Sequence, residues 1–239
     1  MTDTLTDGIS SKTVGGRLKQ DAQITAAIDS IVDRTRELSA EITDIRPANP
    51  ELKTDYDQLL ATAADGKGRA LLYPYIGSGI GNGPLVELAD GSVKWDMITG
   101  IGVHFLGHSH PGIVRASVEA GLEDTVKHGN LMSGNAAYEF ADTLLTQARK
   151  NSKLNQIFVT TSGAMANESA VKVCYQKHAP ASRVLAFKHC FMGRSVTMCQ
   201  IGDSAGGRQG IPLTTQVDYM PFWNDVAVEK VGGPTAFID

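Results

Sequence analysis

From Gln156 onward the chain alternates strand-like and helix-like segments, and no other feature limits its possible folds so tightly. Gln156-Ile-Phe-Val-Thr-Thr161 is a short run of apolar, mostly β-branched or aromatic residues, as a buried strand is; Ala166 to Lys177 has helical texture; Arg183-Val-Leu-Ala-Phe187 is strand-like again. A long Gly-rich loop follows, then Val217 to Met220 and Thr235 to Ile238 as further short strands. Strands separated by helices predict a parallel sheet in an α/β fold, because a parallel crossover needs a helix-sized connection that packs back on the sheet. With Thr235 to Ile238 as a central strand, the sheet is expected to be unfinished, one edge lacking the cover that a parallel sheet requires.

Ahead of this region the texture differs. Ile24, Ile28, Ile31, Thr35, Leu38, Ile42 and Ile45 recur at alternating spacings of four and three, which predicts an amphipathic helix stopped at Arg46-Pro47. About three heptads are too few for a free coiled coil, so the stripe is expected to pack on the protein's own body or on a partner subunit. Pro50 opens a second helix in which Leu52, Tyr56, Leu59, Leu60 and Ala63 share a side, and Gly66 and Gly68 close it. Gly77, Gly79, Gly81, Asn82 and Gly83 lead into Pro84 to Leu88, a turn at Ala89 to Ser92, and Val93 to Met97, a hairpin pattern. Residues 110–127 and 136–150 are helical in texture, the second with Phe140, Ala141, Leu144 and Leu145 on a buried side. The organisation read from these changes is a helical appendage at 1–70, the start of a small domain at 71–127, and the first part of a larger domain at 128–239.

Charge and cysteine content narrow the function. The 26 acidic and 22 basic residues are interspersed, leaving a formal charge of −4 and no basic face for nucleic acid or an anionic membrane. Apolar runs are broken well short of the roughly 18 residues of a membrane span, and the first sixteen residues lack a signal or transit pattern, so a cytoplasmic protein is expected. Cys174, Cys190 and Cys199 have no paired spacing and read as reduced thiols. His104, His108, His110 and His128 are candidate metal ligands by type, but no carboxylate or cysteine at suitable spacing completes a tetrahedral set, and no metal is expected.

The strongest chemical signal is Thr160-Thr161-Ser162-Gly163-Ala164-Met165-Ala166-Asn167-Glu168, a strand running into a small-residue turn that opens a helix. Such a turn exposes backbone N–H groups to an anion at the positive end of the helix dipole. Ser162 as an ordinary helix cap accounts for the same residues equally well. The segment matches neither the dinucleotide fingerprint nor the nucleoside-triphosphate loop.

That stretch resembles the Ser-Gly-Thr-Glu-Ala-Asn-Glu segment of class III pyridoxal-phosphate-dependent aminotransferases, the ornithine, acetylornithine and 4-aminobutyrate type. Ser162, Gly163, Ala166, Asn167 and Glu168 match, while Ala164 and Met165 depart. Phe191-Met192-Gly193-Arg194-Ser195 resembles the family's Phe-His-Gly-Arg-Thr, and Gly83 to Asp96, Gly100-Ile101, Gly107-His108-Ser109-His110-Pro111 and Pro221-Phe222-Trp223-Asn224-Asp225 resemble further family blocks in the same order. The resemblance covers residues 75–239. It implies a fold type I α/β architecture, present in part, with pyridoxal 5′-phosphate as cofactor. It further implies that Ser162, Gly163 and Ala164 hold the cofactor phosphate, that Phe191 stacks on the pyridine ring, and that Arg194 offers its planar fork to a substrate carboxylate. Ala164 lacks the hydroxyl of the family's Thr, a loss worth about 1 kcal/mol.

The resemblance also places the covalently anchoring lysine, and the aspartate that pairs with the pyridine nitrogen, downstream of the part matched by Phe237-Ile238-Asp239. Lys172 and Lys188 align with neither, so no catalytic residue is assigned, and this chain by itself is expected to be inactive. The implied activity of the parent is transfer of an amino group from an amino acid or ω-amino compound to a 2-oxo acid, in a homodimer. An aminomutase, a decarboxylating transaminase of the same fold, or a non-catalytic cofactor-binding module is consistent with the same motifs.

Overall fold

The computed structural model describes residues 12–123 and 134–238, and the chain divides into two units, 1–132 and 133–239. In the first, α1 (Val14–Gln20) runs into α2 (Ala22–Ser39), where Asp21 caps the helix by accepting from the amides of Gln23 at 2.8 Å and Ile24 at 3.0 Å. The helix ends at Ser39, short of the predicted stop at Arg46-Pro47. Ser39 donates its hydroxyl to the carbonyl of Gly81, and the chain then leaves the helix so that Arg46 pairs with Val93 through both backbone groups, at 3.2 and 3.1 Å.

This early stop changes the buried stripe. Ile28, Val32 and Ser39 are buried, following the 3.6-residue period of a straight helix, whereas Ile31 and Leu38 are 48% and 40% exposed. Ile42 is buried by another route: beyond the helix end it joins Leu85, Val93 and Ile80 in a small core. Ile45, expected on the packed side, is exposed. The helix packs on the later helix at Pro111–Gly121, where Arg115 pairs with Asp29.

A short 3-10 turn (Pro50–Leu52) leads into α3 (Lys53–Lys67), which closes on Gly68 in the left-handed conformation at φ 70°. Its inner side is Tyr56, whose hydroxyl donates to Pro74 O at 3.2 Å and accepts from Ile76 N at 3.0 Å; Leu52 and Leu59 are exposed instead. The glycine run predicted to lead into a hairpin is itself a strand. β1 (Gly77–Asn82), β2 (Leu85–Leu88) and β3 (Val93–Trp95) form an antiparallel sheet in that order, with Gly81 opposite Val86, and Leu85 opposite Trp95. Gly81 has no alternative: a Cβ there would stand 2.4 Å from Leu85 O and 2.6 Å from His108 Cβ.

Past β3 the chain is organised by Asp96. Its carboxylate accepts from the amides of Thr99 at 2.8 Å and Ile98 at 3.0 Å and meets His108 Nε2 at 2.9 Å. The Thr99 amide, opposed by desolvation and helped by His108 and the Ile98 amide, holds the carboxyl below its ordinary value. This ties down α4 (Thr99–Gly102), a tight turn in which Thr99 and Ile101 take left-handed φ of 49° and 62°. His110 then caps α5 (Pro111–Gly121), with Nδ1 accepting from Gly112 N at 3.2 Å.

The second unit begins with α6 (Asn135–Ala148), in which Ala141 and Leu145 are half-buried but Phe140 and Leu144 are exposed. The predicted strand at Gln156–Thr161 is not formed: among the described residues it has no ladder partner, and Phe158 and Val159 are 69% and 52% exposed. Strand propensity is realised only by pairing. α7 (Gly163–Lys177) follows, and then β4 (Arg183–Phe187), which pairs in parallel with β5 (Gln216–Met220). An Arg183–Asp218 ion pair at 2.6 Å spans the two strands.

The connection expected as a Gly-rich loop contains α8 (Val196–Ile201) and α9 (Ala205–Arg208). Met198 and Ile201 of α8 are fully buried, and buried Gln200 accepts through Oε1 from the amides of Thr214 and Thr215 at 2.6 and 3.0 Å. α10 (Asp225–Lys230) and α11 (Pro234–Ile238) end the described chain. The last element, expected as a strand, is a helix, because Pro234 supplies a fixed φ at the first helical position and Phe237 N bonds back to Gly233 O at 3.2 Å. The sheet therefore shows two parallel strands among the described residues, β4 and β5.

Two stability measurements check this architecture. Ile42→Ala should lower the unfolding free energy by about 2–5 kcal/mol in urea melts, whereas Ile31→Ala should stay within about 0.5 kcal/mol of the parent chain. A substantial loss from Ile31→Ala would restore the original stripe. Because the native pKa of Asp96 lies below its unfolded value, its contribution is full above the unfolded pKa and is lost as pH falls through the native one. The stability gap between the parent and Asp96→Asn should accordingly shrink as acidification passes through and below the ordinary carboxylate range; a gap that does not shrink there would contradict this assignment.

Candidate functional site

Residues 160–168 and 191–195, separate in sequence, meet at the front of α7. Ser162 is extended, with φ −164° and ψ 163°, and its Oγ accepts from Met165 N at 3.2 Å, which makes it the helix cap. The amides of Gly163 and Ala164 occupy the first two helical positions and have no protein acceptor among the described residues. Nothing lies within 4 Å of where a Cβ on Gly163 would stand. Capping and anion binding are thus compatible here: the serine serves one donor and leaves two.

The second segment is fastened to this turn. Asn167 Nδ2 donates to Met192 O at 2.8 Å, and Ser195 Oγ donates to Glu168 Oε1 at 2.6 Å. Between these bonds, Gly193 adopts φ 137°, and a Cβ there would stand 2.6 Å from the Cβ of Ala164. The backbone of the loop can rest on the first turn of α7 only because residue 193 is glycine. Cys199 Sγ lies 3.7 Å from Gly193 O, and Ser195 also caps α8 by accepting from Met198 N at 3.4 Å.

Phe191 and Arg194 project from the loop so held. Phe191 is 72% exposed, with the Arg194 guanidinium 5.8 Å from its ring centroid. The start of the loop is set from its other side by Asp203. Its carboxylate accepts from His189 N at 2.7 Å, and its pKa is lowered first by that amide and further by Arg208, whose Nη2 is 2.9 Å away. His189 itself has φ 61°. Asp203 N returns a bond to Cys190 O at 3.0 Å. Neither Asp203 nor the Asn167 and Glu168 contacts stand out as site machinery in the sequence; Asn167 and Glu168 are there only matched positions.

The remaining motif residues have structural partners within their own units. His108 pairs with Asp96 and exchanges backbone bonds with Gly83 at 3.2 and 2.8 Å. Its ring lies 4.5 Å from that of His104, beside a cavity of about 270 Å³ lined in part by Asp96, Thr99 and Phe105. Among the described residues, no three His, Cys, Asp or Glu side chains converge as a metal-ligand set, and His128 lies outside those residues. Asn224 caps α10 by accepting from Ala227 N at 3.0 Å. Lys172 lies exposed on α7, and Lys188 is exposed just past β4. No described helix is long and apolar enough to cross a membrane.

The chain is similar to an acetylornithine aminotransferase of Bacillus anthracis, 36% identical over 151 residues covering 63% of this chain and 37% of that protein. It is similar in the same way to an acetylornithine aminotransferase of Methanopyrus kandleri, 30% identical over 151 residues covering 63% of this chain and 38% of that protein. The chain therefore spans little more than a third of the length of these curated relatives. Among solved structures, it superposes on ornithine aminotransferase of Toxoplasma gondii with a TM-score of 0.58 at 20% identity, covering 77% of this chain and 46% of that one. Taurine:2-oxoglutarate aminotransferase of Bifidobacterium kashiwanohense, solved with PLP and glutamate, gives 0.61 at 15% identity, over 74% of this chain and 40% of that one. These likenesses give the fold, an incomplete fold type I α/β architecture. The sequence model of the aminotransferase class-III family matches residues 77–230, and the chain belongs to that family.

Proposed function

We propose that the turn at Ser162–Ala164 holds the phosphate of pyridoxal 5′-phosphate, and that the whole protein transfers an amino group from an amino acid or ω-amino compound to a 2-oxo acid. The observation that carries this reading is the pair of amides, Gly163 and Ala164, left without a protein acceptor among the described residues at the N-terminus of a 15-residue helix. The group fits the residues present. Two backbone donors and the helix dipole suit a phosphate, and an exposed aromatic ring, Phe191, stands on a loop bonded to the same helix.

When bound, the cofactor supplies a conjugated ring that stabilises negative charge developing on the substrate carbon. The residues of this chain bind and orient. Gly163 and Ala164 donate to the phosphate, Phe191 covers a face of the ring, and Arg194 releases its exposed contact with Phe191 to take a substrate carboxylate in a bidentate pair. Lys172 and Lys188 have no place in this arrangement. A cytoplasmic homodimer is the setting that agrees with the balanced charge and with the family.

The proposal is tested at one atom. Proline is tolerated at the first helical position, where its missing N–H costs no helical bond, and the extended conformation of Ser162 is one that can precede it. Gly163→Pro should therefore leave α7 intact by circular dichroism but weaken pyridoxal phosphate by about five- to tenfold, roughly 1–1.4 kcal/mol for one hydrogen bond, with no change toward unphosphorylated pyridoxal. Equal effects on both ligands would remove the phosphate from this turn. In the whole enzyme, Arg194→Lys should reduce kcat/KM for carboxylate-bearing substrates by one to two orders of magnitude, about 1.4–2.8 kcal/mol; an unchanged value would remove Arg194 from the substrate site.

A further inference from the structure

The loop 190–195 carries two side chains that do not pack into the fold. Phe191 and Arg194 are both exposed, and the residue between Met192 and Arg194 is a glycine. Asp203 sets the start of this loop, and a pair of side chains from the second turn of α7, Asn167 and Glu168, ties it to the helix that carries the anion-binding turn. Asn167 Nδ2 grips the backbone at Met192 O, before the glycine, and Glu168 Oε1 takes the hydroxyl of Ser195 after it. All four residues are half-buried.

The two bonds bracket Gly193 and seat it against Ala164, whose amide is one of the two unengaged donors. From this geometry we infer that Glu168 is a positioning residue: acting through Ser195, it sets where Phe191 and Arg194 stand relative to the anion-binding turn, without itself touching cofactor or substrate. The inference rests on the assignment of that turn to pyridoxal phosphate.

Glu168 suits this role for a specific reason. Its carboxylate accepts from a hydroxyl at 2.6 Å, the short range of a charge-assisted bond, while Ser195 uses a lone pair to accept from Met198 N. Ser195 thus joins α7 to the start of α8, whose Met198 is fully buried in the core of the second unit. Any shift of the loop must break a short bond to α7 or disturb that buried anchor. A merely fold-holding bond would affect stability and nothing else; a positioning bond affects the ring contact in molecules that are still folded.

The test uses the 239-residue chain and pyridoxal phosphate as probe, with three readouts on each variant: dissociation constant, induced circular dichroism of the bound chromophore, and melting temperature. Glu168→Ala should weaken binding five- to tenfold and reduce the induced signal at saturation. Glu168→Gln keeps an acceptor oxygen in the same place and should restore both to within about twofold of the parent. Ser195→Ala should reproduce the Glu168→Ala defect in affinity and signal, with a further fall in melting temperature from the α8 cap it also removes, and the double variant should bind no worse than Ser195→Ala, which already lacks the shared bond. Should Glu168→Ala not fold, Ser195→Ala and Glu168→Gln carry the comparison. A lowered melting temperature with unchanged affinity and signal reduces Glu168 to a structural role and overturns the inference, leaving the phosphate assignment standing. Failure of the parent chain to prefer pyridoxal phosphate over pyridoxal overturns both.

Discussion

The second unit depends on the docking of one loop against one helix end. On the proposed reading, the front of α7 must leave the Gly163 and Ala164 amides available and still pack a neighbouring segment against the same turn. These demands conflict, because a segment that packs on a helix N-terminus normally covers its donors. The conflict is resolved by bonding one turn deeper, at Asn167 and Glu168, so that neither bond uses the two donors. Only at Gly193 does the loop come close to the first turn, and there it brings no side chain.

A loop held this way needs a defined start as well as an anchor. It leaves β4 through His189, in a left-handed conformation that a residue other than glycine adopts only under constraint. The constraint is Asp203, which receives the His189 amide on one oxygen and Arg208 on the other and returns its own amide to Cys190 O. Tyr219 of β5 braces the far side by donating its hydroxyl to Ile201 O at 2.9 Å, and burial pushes its pKa up. Strain at residue 189 is thus balanced by charge-assisted bonds from the same connection, and that connection is helical where a loop was expected.

Elements defined by their own residues are legible in the sequence: α7 from its small-residue turn and capping serine, the β2–β3 hairpin from its turn, and β4 and β5 from short apolar runs. Elements defined by a partner are not. Gln156 to Thr161 carries the residues of a strand, but no described strand pairs with it. Thr235 to Ile238 has β-branched and aromatic residues yet forms a helix, since Pro234 sets φ at its first position and Gly232 and Gly233, both at positive φ, turn the chain ahead of it. The stripe of α2 fails in a third way. A pattern of alternating fours and threes continues past Ser39, but the helix does not, and Ile42 is buried by the sheet while Ile31 faces solvent.

The candidate site is legible in a different sense. Ser162, Gly163, Phe191 and Arg194 stand out through resemblance, since a capping serine and an exposed arginine are ordinary features on their own. Asn167 and Glu168 match the same pattern, but nothing in the residue order assigns them a role, because both lie on a helix, where their ordinary reading is a polar face. Their role follows only from what stands opposite them, a carbonyl at 192 and a hydroxyl at 195. The same holds in the first unit, where Asp96 and His108 each look like chemistry and together form a bond that fixes a turn. In both places the polar residues of a motif fall into two groups, those that present free donors or exposed faces and those whose bonds are already satisfied by the fold. On the proposed reading, ligand recognition belongs to the first group, and the second determines where the first can stand.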